Sequence, residues 1–239
     1  MYSGLFLLQA LLQAVLLAWL WRLWRSTGLL VAALLLLPQF GLVWDNLVVG
    51  AGRFIGFSPL LEALSWPRFW MHWLFGTWLI IAAGAALRLA GFGFMQGTRP
   101  MLVFCSLTFA LMMFDLPHFW RDTLNPVCEF DLIRYSTAVS GDALCFEGQP
   151  VVRASPPIAS ILTCLVVIGC GAVLMLRRRF PWMFLGGLLM LLSAMPPLRN
   201  WKLDNFGEVL IAGGCIFALA HFSRGRKSGL FTRDTAAST

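Results

Sequence analysis

The chain has 239 residues, of which 59% are apolar and only 12% are charged, whereas an ordinary soluble domain carries about 25% charged residues. This composition excludes a water-soluble globular domain, a disordered chain and a disulfide-rich secreted mini-protein. The formal charge of +7 comes from basic residues at the ends of apolar segments, with no soluble basic module, and it therefore does not indicate nucleic-acid binding.

Seven apolar segments have about the 20-residue length that a helix needs to cross a bilayer. The first is interpreted as a retained span and not as a signal peptide, because Arg22 and Arg25 follow its apolar run. The second has room to continue to Gly52, with Pro38 as a tolerated kink. The predicted spans are residues 2–21, 28–44, 69–87, 101–117, 157–176, 180–198 and 203–222. The sequence thus predicts an all-α polytopic membrane protein that forms a single membrane domain over 1–239.

The segment 45–68, between the second and third spans, is too polar and too rich in Gly and Pro to be a span. We therefore expect it to be an outer loop. Residues 58–64 within it predict a short helix at the membrane interface, with Ser58 as the N-cap and Pro59 at the first helical position.

The longest hydrophilic segment, 118–156, follows the fourth span and contains Cys128 and Cys145. Two cysteines alone in an oxidising compartment predict a disulfide bond. The remaining cysteines lie within apolar spans, where a free thiol behaves as a small hydrophobic group. We therefore expect 118–156 to be a disulfide-containing outer loop.

The distribution of Lys and Arg predicts the orientation of the spans. If the N-terminus lies outside and the spans alternate, the inner segments hold eleven of the eighteen basic residues and one of the eleven acidic residues. This bias predicts an N-out, C-in protein with a basic cytoplasmic tail at 223–239. The arginines at 177–179 and those of the tail are expected to contact anionic lipid headgroups.

Ionisable residues at membrane depth are expensive to bury and often mark functional sites. Five of them lie toward the outer ends of predicted spans, and they are the candidate catalytic residues: Asp45, His72, Asp115, His118 and Asp204. Asp204 shares a helix face with Glu208, four residues later, and His72 follows Arg68 by the same spacing. The alternative is that these acids form structural ion pairs with arginines at helix ends. Asp-Asn pairs at 45–46 and 204–205 are too short to indicate an internal repeat.

Zinc accepts histidine nitrogen and carboxylate oxygen ligands, and His72, His118 and Asp115 are the candidate metal ligands. A bound zinc with an open position for water would suit hydrolysis of a lipid-linked substrate. No compact ligand motif such as HExxH is present. Haem is the less favoured cofactor, in which case the two histidines would ligate one iron in a small membrane cytochrome.

The leading hypothesis is a membrane protein with a polar outer-face site, either a metal-dependent hydrolase or a lipid-modifying enzyme. The alternatives are a non-catalytic accessory or assembly subunit, a proton-coupled carrier and a single-haem cytochrome. Expected partners are membrane lipids, a lipid-like substrate or another membrane subunit. Nearly all basic residues are Arg, and no N-x-S/T site is present, which favours a bacterial inner membrane.

Overall fold

The structure is a computed structural model that describes residues 1–194 and 204–224. In this part of the chain, six helical stretches are long and apolar enough to cross a membrane. Their bounds are Tyr2–Thr27, Leu30–Ile55, Pro59–Leu89, Thr98–Arg121, Ile158–Arg178 and Asn205–Ser223. The chain is therefore a helical protein with the features of a multi-pass membrane protein.

Helices α1 (Tyr2–Thr27) and α2 (Leu30–Ile55) form an antiparallel pair joined by a two-residue turn. Gly28 ends α1 with φ of +66°, a left-handed conformation that glycine adopts without steric cost. α2 runs through Pro38 without a break. α2 therefore ends at Ile55, which is beyond the predicted end of the second span at residue 44 and beyond its possible extension to Gly52.

Helix α3 (Pro59–Phe75) begins as the sequence predicts, since the Ser58 hydroxyl accepts a hydrogen bond from the Leu61 N–H at 3.2 Å. It does not end after two turns, however. It continues to Phe75 and passes through a 3₁₀ turn, Gly76–Trp78, into α4 (Leu79–Leu89). Residues 45–55 and 59–68 are therefore helical, and the short helix predicted at 58–64 is the beginning of a longer one.

The glycine and proline content of this segment was misleading because these residues do not interrupt the helices. Gly52 faces strand β2 (Leu132–Ser136) so closely that a Cβ atom would lie 1.9 Å from the Ile133 carbonyl oxygen. Pro59 occupies the first turn of α3, where its missing N–H costs nothing. Only residues 56–58, between α2 and α3, are non-helical in this segment.

Helix α5 (Thr98–Asp115) and the short α6 (His118–Arg121) lead into the hydrophilic segment. There, β1 (Asn125–Glu129) pairs antiparallel with β2, with Cys128 opposite Ile133. The predicted disulfide between Cys128 and Cys145 is confirmed, with the two Cα atoms 5.0 Å apart. The hairpin is an addition to the predicted all-α architecture.

The last helices are α7 (Ile158–Arg178), α8 (Trp182–Ser193) and α9 (Asp204–Ser223). They approach closely at glycines. A Cβ on Gly171 would lie 2.5 Å from the Phe184 nitrogen, and one on Gly186 would lie 2.3 Å from the Leu210 carbonyl oxygen. This packing agrees with the use of small residues at membrane helix interfaces.

α8 covers only 12 residues of the predicted span 180–198, and the end of that span lies outside the described residues. The count of seven spans thus stays a prediction. Most of the predicted tail 223–239 also lies outside the described residues. The largest buried apolar cluster draws on α1, α2, α4, α7, α8 and α9, and α9 contacts α1, α2, α4 and α8.

Candidate functional site

Three helices that are distant in sequence bring together an aspartate, a histidine and a glutamate. Asp45 lies on α2, His72 on α3 and Glu208 on α9. One ligand atom from each side chain lies within 4.8 Å of the others. Among the described residues, no other set of three or more His, Cys, Asp or Glu side chains meets this condition. We refer to Asp45, His72 and Glu208 as the central cluster.

Asp45 is held in place from two sides. The Arg68 Nε donates to Oδ1 of Asp45 at 2.6 Å, and both side chains are almost fully buried. The Asn205 Nδ2 donates to Oδ2 of Asp45 at 2.9 Å and also lies 3.1 Å from Oδ1 of Asn46. Two lone pairs of the Asp45 carboxylate are therefore used, and two others stay available, because an ionised carboxylate has about four acceptor positions.

Helical spacing explains why these side chains share one site. Arg68 and His72 are four residues apart on α3, and Asn205 and Glu208 are three residues apart on α9, so each pair lies on one helix face. Arg68 also donates from Nη1 to the Tyr135 carbonyl oxygen at 3.2 Å. This contact links the buried ion pair to the disulfide-bonded hairpin.

His72 and Glu208 face each other across a short gap. The His72 Nε2 lies 3.9 Å from Oε1 of Glu208, which is beyond hydrogen-bonding distance. The His72 side chain is 38% exposed and that of Glu208 16%, whereas Asp45 is almost inaccessible. His72 and Glu208 are therefore the accessible members of the central cluster.

Both accessible members line a cavity of about 90 Å³. Its walls come from α2, α3, the 3₁₀ turn, α4, α7, α8 and α9 and are mainly apolar. Four further side chains add polar or weakly polar groups to it: Gln39, Ser160, Thr163 and Cys164. An apolar cavity with a few polar groups at one side is the usual form of a small-molecule site.

Positive groups surround the buried carboxylate of Asp45. The Arg68 guanidinium is paired with it, and His72 and Arg134 also act on it electrostatically. A carboxylate in a low-dielectric interior is costly unless positive groups balance it, so these groups stabilise the ionised form of Asp45. A proton or a metal ion bound by the central cluster would add a further positive charge.

The other candidate residues lie elsewhere. His118 pairs through Nδ1 with Asp122 at 3.1 Å and stacks on Trp73, with ring centroids 5.5 Å apart. Asp115, at the end of α5, does not join the central cluster. The backbone of Asp204 begins α9, and its side chain lies outside the described residues.

The predicted metal set of His72, His118 and Asp115 is therefore not assembled, because only His72 belongs to the central cluster. The prediction had grouped these residues by their depth in the membrane. Depth gives no information on which side of a helix faces which neighbour, and the short helix α6 carries His118 toward Asp122 and Trp73.

Two residues of the site were visible in the sequence but had no predicted catalytic role. Glu208 appeared only as the helix-face neighbour of Asp204, and Arg68 only as that of His72. For Asn205 the sequence offered one signal, the Asp-Asn pair that occurs at both 45–46 and 204–205. In the structure Asn205 donates hydrogen bonds to both Asp45 and Asn46. No protein-family model and no curated protein sequence matches the chain.

Proposed function

We propose that this protein is a membrane enzyme that hydrolyses an amphiphilic, lipid-like substrate at the central cluster. The observation that carries the proposal is the position of His72 and Glu208 at a mainly apolar cavity. The apolar walls suit an acyl or polyprenyl chain, and the polar groups suit the ester or phosphoester linkage near a headgroup. The two accessible titratable groups of the central cluster would then lie where bond cleavage takes place.

The central cluster suits a zinc ion. His72 Nε2, one Glu208 oxygen and a free lone pair of Asp45 would be the three protein ligands, with the fourth position left to water. Zinc lowers the pKa of such a water to about 7. Arg68 and Asn205 keep the Asp45 carboxylate oriented, which is the usual task of residues behind a metal ligand.

Hydrolysis then consumes one water molecule. The water oxygen forms the new bond to the acyl carbon or phosphorus, the bond to the leaving alcohol oxygen breaks, and that oxygen receives a proton. The attacking water releases the proton that the leaving oxygen takes up, so the step balances without a further proton donor.

The test is the release of product from lipids by the detergent-purified protein. A panel of phospholipid and polyprenyl-phosphate substrates should give a chelator-sensitive release of headgroup, phosphate or fatty acid that His72→Ala abolishes. Turnover that survives both chelation and His72→Ala would contradict the proposal.

A proton relay in a carrier is the second candidate function. A carboxylate, an imidazole and a second carboxylate lie within 4.8 Å of one another, which is the type of arrangement that relays use. Substrate uptake into proteoliposomes driven by a pH gradient, without product release, would favour this candidate over hydrolysis.

We further propose that the chain has seven spans in a bacterial inner membrane, N-out and C-in. The distribution of Lys and Arg supports the orientation, and α8 supplies a seventh apolar helix. In a Cys105→Ser background, a membrane-impermeant thiol reagent added outside should label Ser140→Cys but not Arg177→Cys. The reverse pattern would contradict the orientation.

A further inference from the structure

A second cleft lies at the opposite end of the helices from the central cluster, between the last turns of α1 and α9. Its volume is about 270 Å³. Arg22 and Arg224 line it, together with Trp19 and the hydroxyl residues Ser26, Thr27 and Ser223. None of these residues belongs to the site of the proposed function, and we refer to this feature as the arginine cleft.

The charge of the arginine cleft is wholly positive. No acidic residue lines it, and within the described ranges no ion pair involves Arg22 or Arg224. Both side chains are exposed. Each guanidinium offers five N–H donors in a planar fork that fits the oxygens of a phosphate group.

The hydroxyl groups of the cleft already donate their hydrogens within the protein. Ser26 and Thr27 donate to the Leu23 carbonyl oxygen at 3.1 and 2.7 Å, and Ser223 donates to the Ala220 carbonyl oxygen at 3.2 Å. These bonds satisfy carbonyls at the helix ends. The two guanidinium groups are therefore the charged donors that the cleft presents to a ligand.

The deeper wall of the cleft is apolar. Leu23 and Ala220 are buried there, and Trp19 packs against Phe217 with ring centroids 6.0 Å apart. A cationic opening beside an apolar wall matches a molecule with an anionic head and a hydrocarbon tail. Trp21 and Trp24, which contact each other on the same turn of α1, suit the headgroup level of a membrane.

We propose that the arginine cleft binds the phosphate group of an anionic phospholipid, with Arg22 and Arg224 as the paired ligands. The lipid's acyl chain follows the apolar wall between α1 and α9. The site does not depend on the central cluster or on the direction in which the protein is inserted. It holds one lipid per chain, beyond the general attraction of basic residues to an anionic surface.

The test is native mass spectrometry of the full chain from micelles that contain phosphatidylglycerol or phosphatidylcholine. The wild type should retain one phosphatidylglycerol and no phosphatidylcholine, and Arg22→Gln/Arg224→Gln should lose the bound lipid. The matched control is Arg25→Gln/Arg177→Gln, which removes two exposed arginines that do not line the cleft. This control should retain the lipid.

Equal retention by the wild type and the cleft variant, or equal loss in the control, would overturn the proposal. In a competition experiment, inorganic phosphate or sodium chloride is added to the lipid-bound wild type at equal ionic strength, and loss of the lipid is measured. Displacement of the lipid by phosphate alone would overturn the phospholipid assignment in favour of a free phosphate site. If the double variant does not fold, the single variants Arg224→Gln and Arg177→Gln are compared in the same way.

Discussion

The regions around His72 and His118 contrast in how their polar groups are held. His72 lies with Asp45 and Glu208, side chains that reach it from two other helices. His118 has its polar partner, Asp122, only four residues away in sequence. The first region depends on the tertiary packing of three helices, whereas the second could form almost from local structure alone.

This contrast indicates which of the two histidines is suited to chemistry. A convergent site needs each helix to be placed correctly, and it leaves His72 facing a cavity. The local pair of His118 and Asp122, with Trp73 stacked on the imidazole, is the arrangement of a side chain that fixes the end of a span. Predictions on activity and on stability test this difference, and two further predictions concern Asn205 and Asp131.

The largest expected effect is on activity. His72→Ala should reduce lipid hydrolysis by at least about 100-fold, because it removes a proposed zinc ligand from the central cluster; this loss is comparable to that of a general acid–base group. His118→Ala should stay within about two-fold of the wild type, far below the loss expected for a catalytic group. The comparison uses initial rates of hydrolysis by purified variants that have equal folded yields. Equal losses of activity in the two variants would show that the two regions do not differ in function.

The next effect is on stability. Arg68→Met leaves the Asp45 carboxylate buried without its guanidinium, which should lower the free energy of unfolding by about 3–5 kcal/mol. The matched variant Asp122→Asn should cost about 0–1 kcal/mol, since the His118 pair is partly exposed. Denaturation in mixed micelles measures both variants.

A second variant separates charge from packing in that result. Asp45→Asn introduced into Arg68→Met should recover part of the lost stability, because the buried charge disappears. No recovery would mean that the Arg68 side chain stabilises the protein by packing and not by neutralising Asp45.

A smaller effect is expected at Asn205, which joins α9 to α2. Asn205→Leu removes its hydrogen bonds to Asp45 and Asn46 and should cost about 1–3 kcal/mol, because buried acceptors lose their donor. Asn125→Leu, whose amide makes only a local exposed bond to the Thr123 carbonyl, is the control and should change stability by less than about 0.5 kcal/mol. Equal costs would show that Asn205 does not tie the cluster together.

The smallest effect concerns Asp131, in the turn of the hairpin and outside the spans. The N-terminal ammonium group, together with the backbone N–H groups of Tyr2 and Ser3, holds the pKa of Asp131 well below its usual range. Because the folded-state pKa is lowered, the stabilisation is present above the unfolded-state pKa of about 3.9 and is lost as the pH falls further. The stability difference between the wild type and Asp131→Asn should therefore be constant above about pH 5 and should shrink as the pH falls from about 5 toward 2, and a difference that stays constant over that range would contradict this expectation.

Features that depend on local sequence could be predicted. The apolar runs predicted the six helices that are long enough to cross a membrane. The Ser-Pro pair at 58–59 predicted the start of α3, and the two cysteines of the hydrophilic segment predicted the disulfide bond. The extension of α3 to Phe75 was missed because the Gly and Pro content of 45–68 indicated a loop, whereas Pro67 lies within the helix. The β-hairpin was missed because its strands are only five residues long.

The composition of the central cluster could not be predicted, because it depends on helix rotation and pairing. The spacing places Arg68 and His72 on one face of α3, but no local pattern indicates that this face meets Asp45 on α2 and Glu208 on α9. His118 has the same membrane depth by sequence and a different environment in the fold. Depth was therefore a useful filter for candidates and a poor guide to which of them form one site.

The most direct test of the central cluster is the zinc content of the purified wild type, His72→Ala and His118→Ala, measured by elemental analysis. The account predicts about one zinc per chain in the wild type and in His118→Ala, and none in His72→Ala. Zinc that is retained in His72→Ala and lost in His118→Ala, or a wild type without zinc, would contradict it.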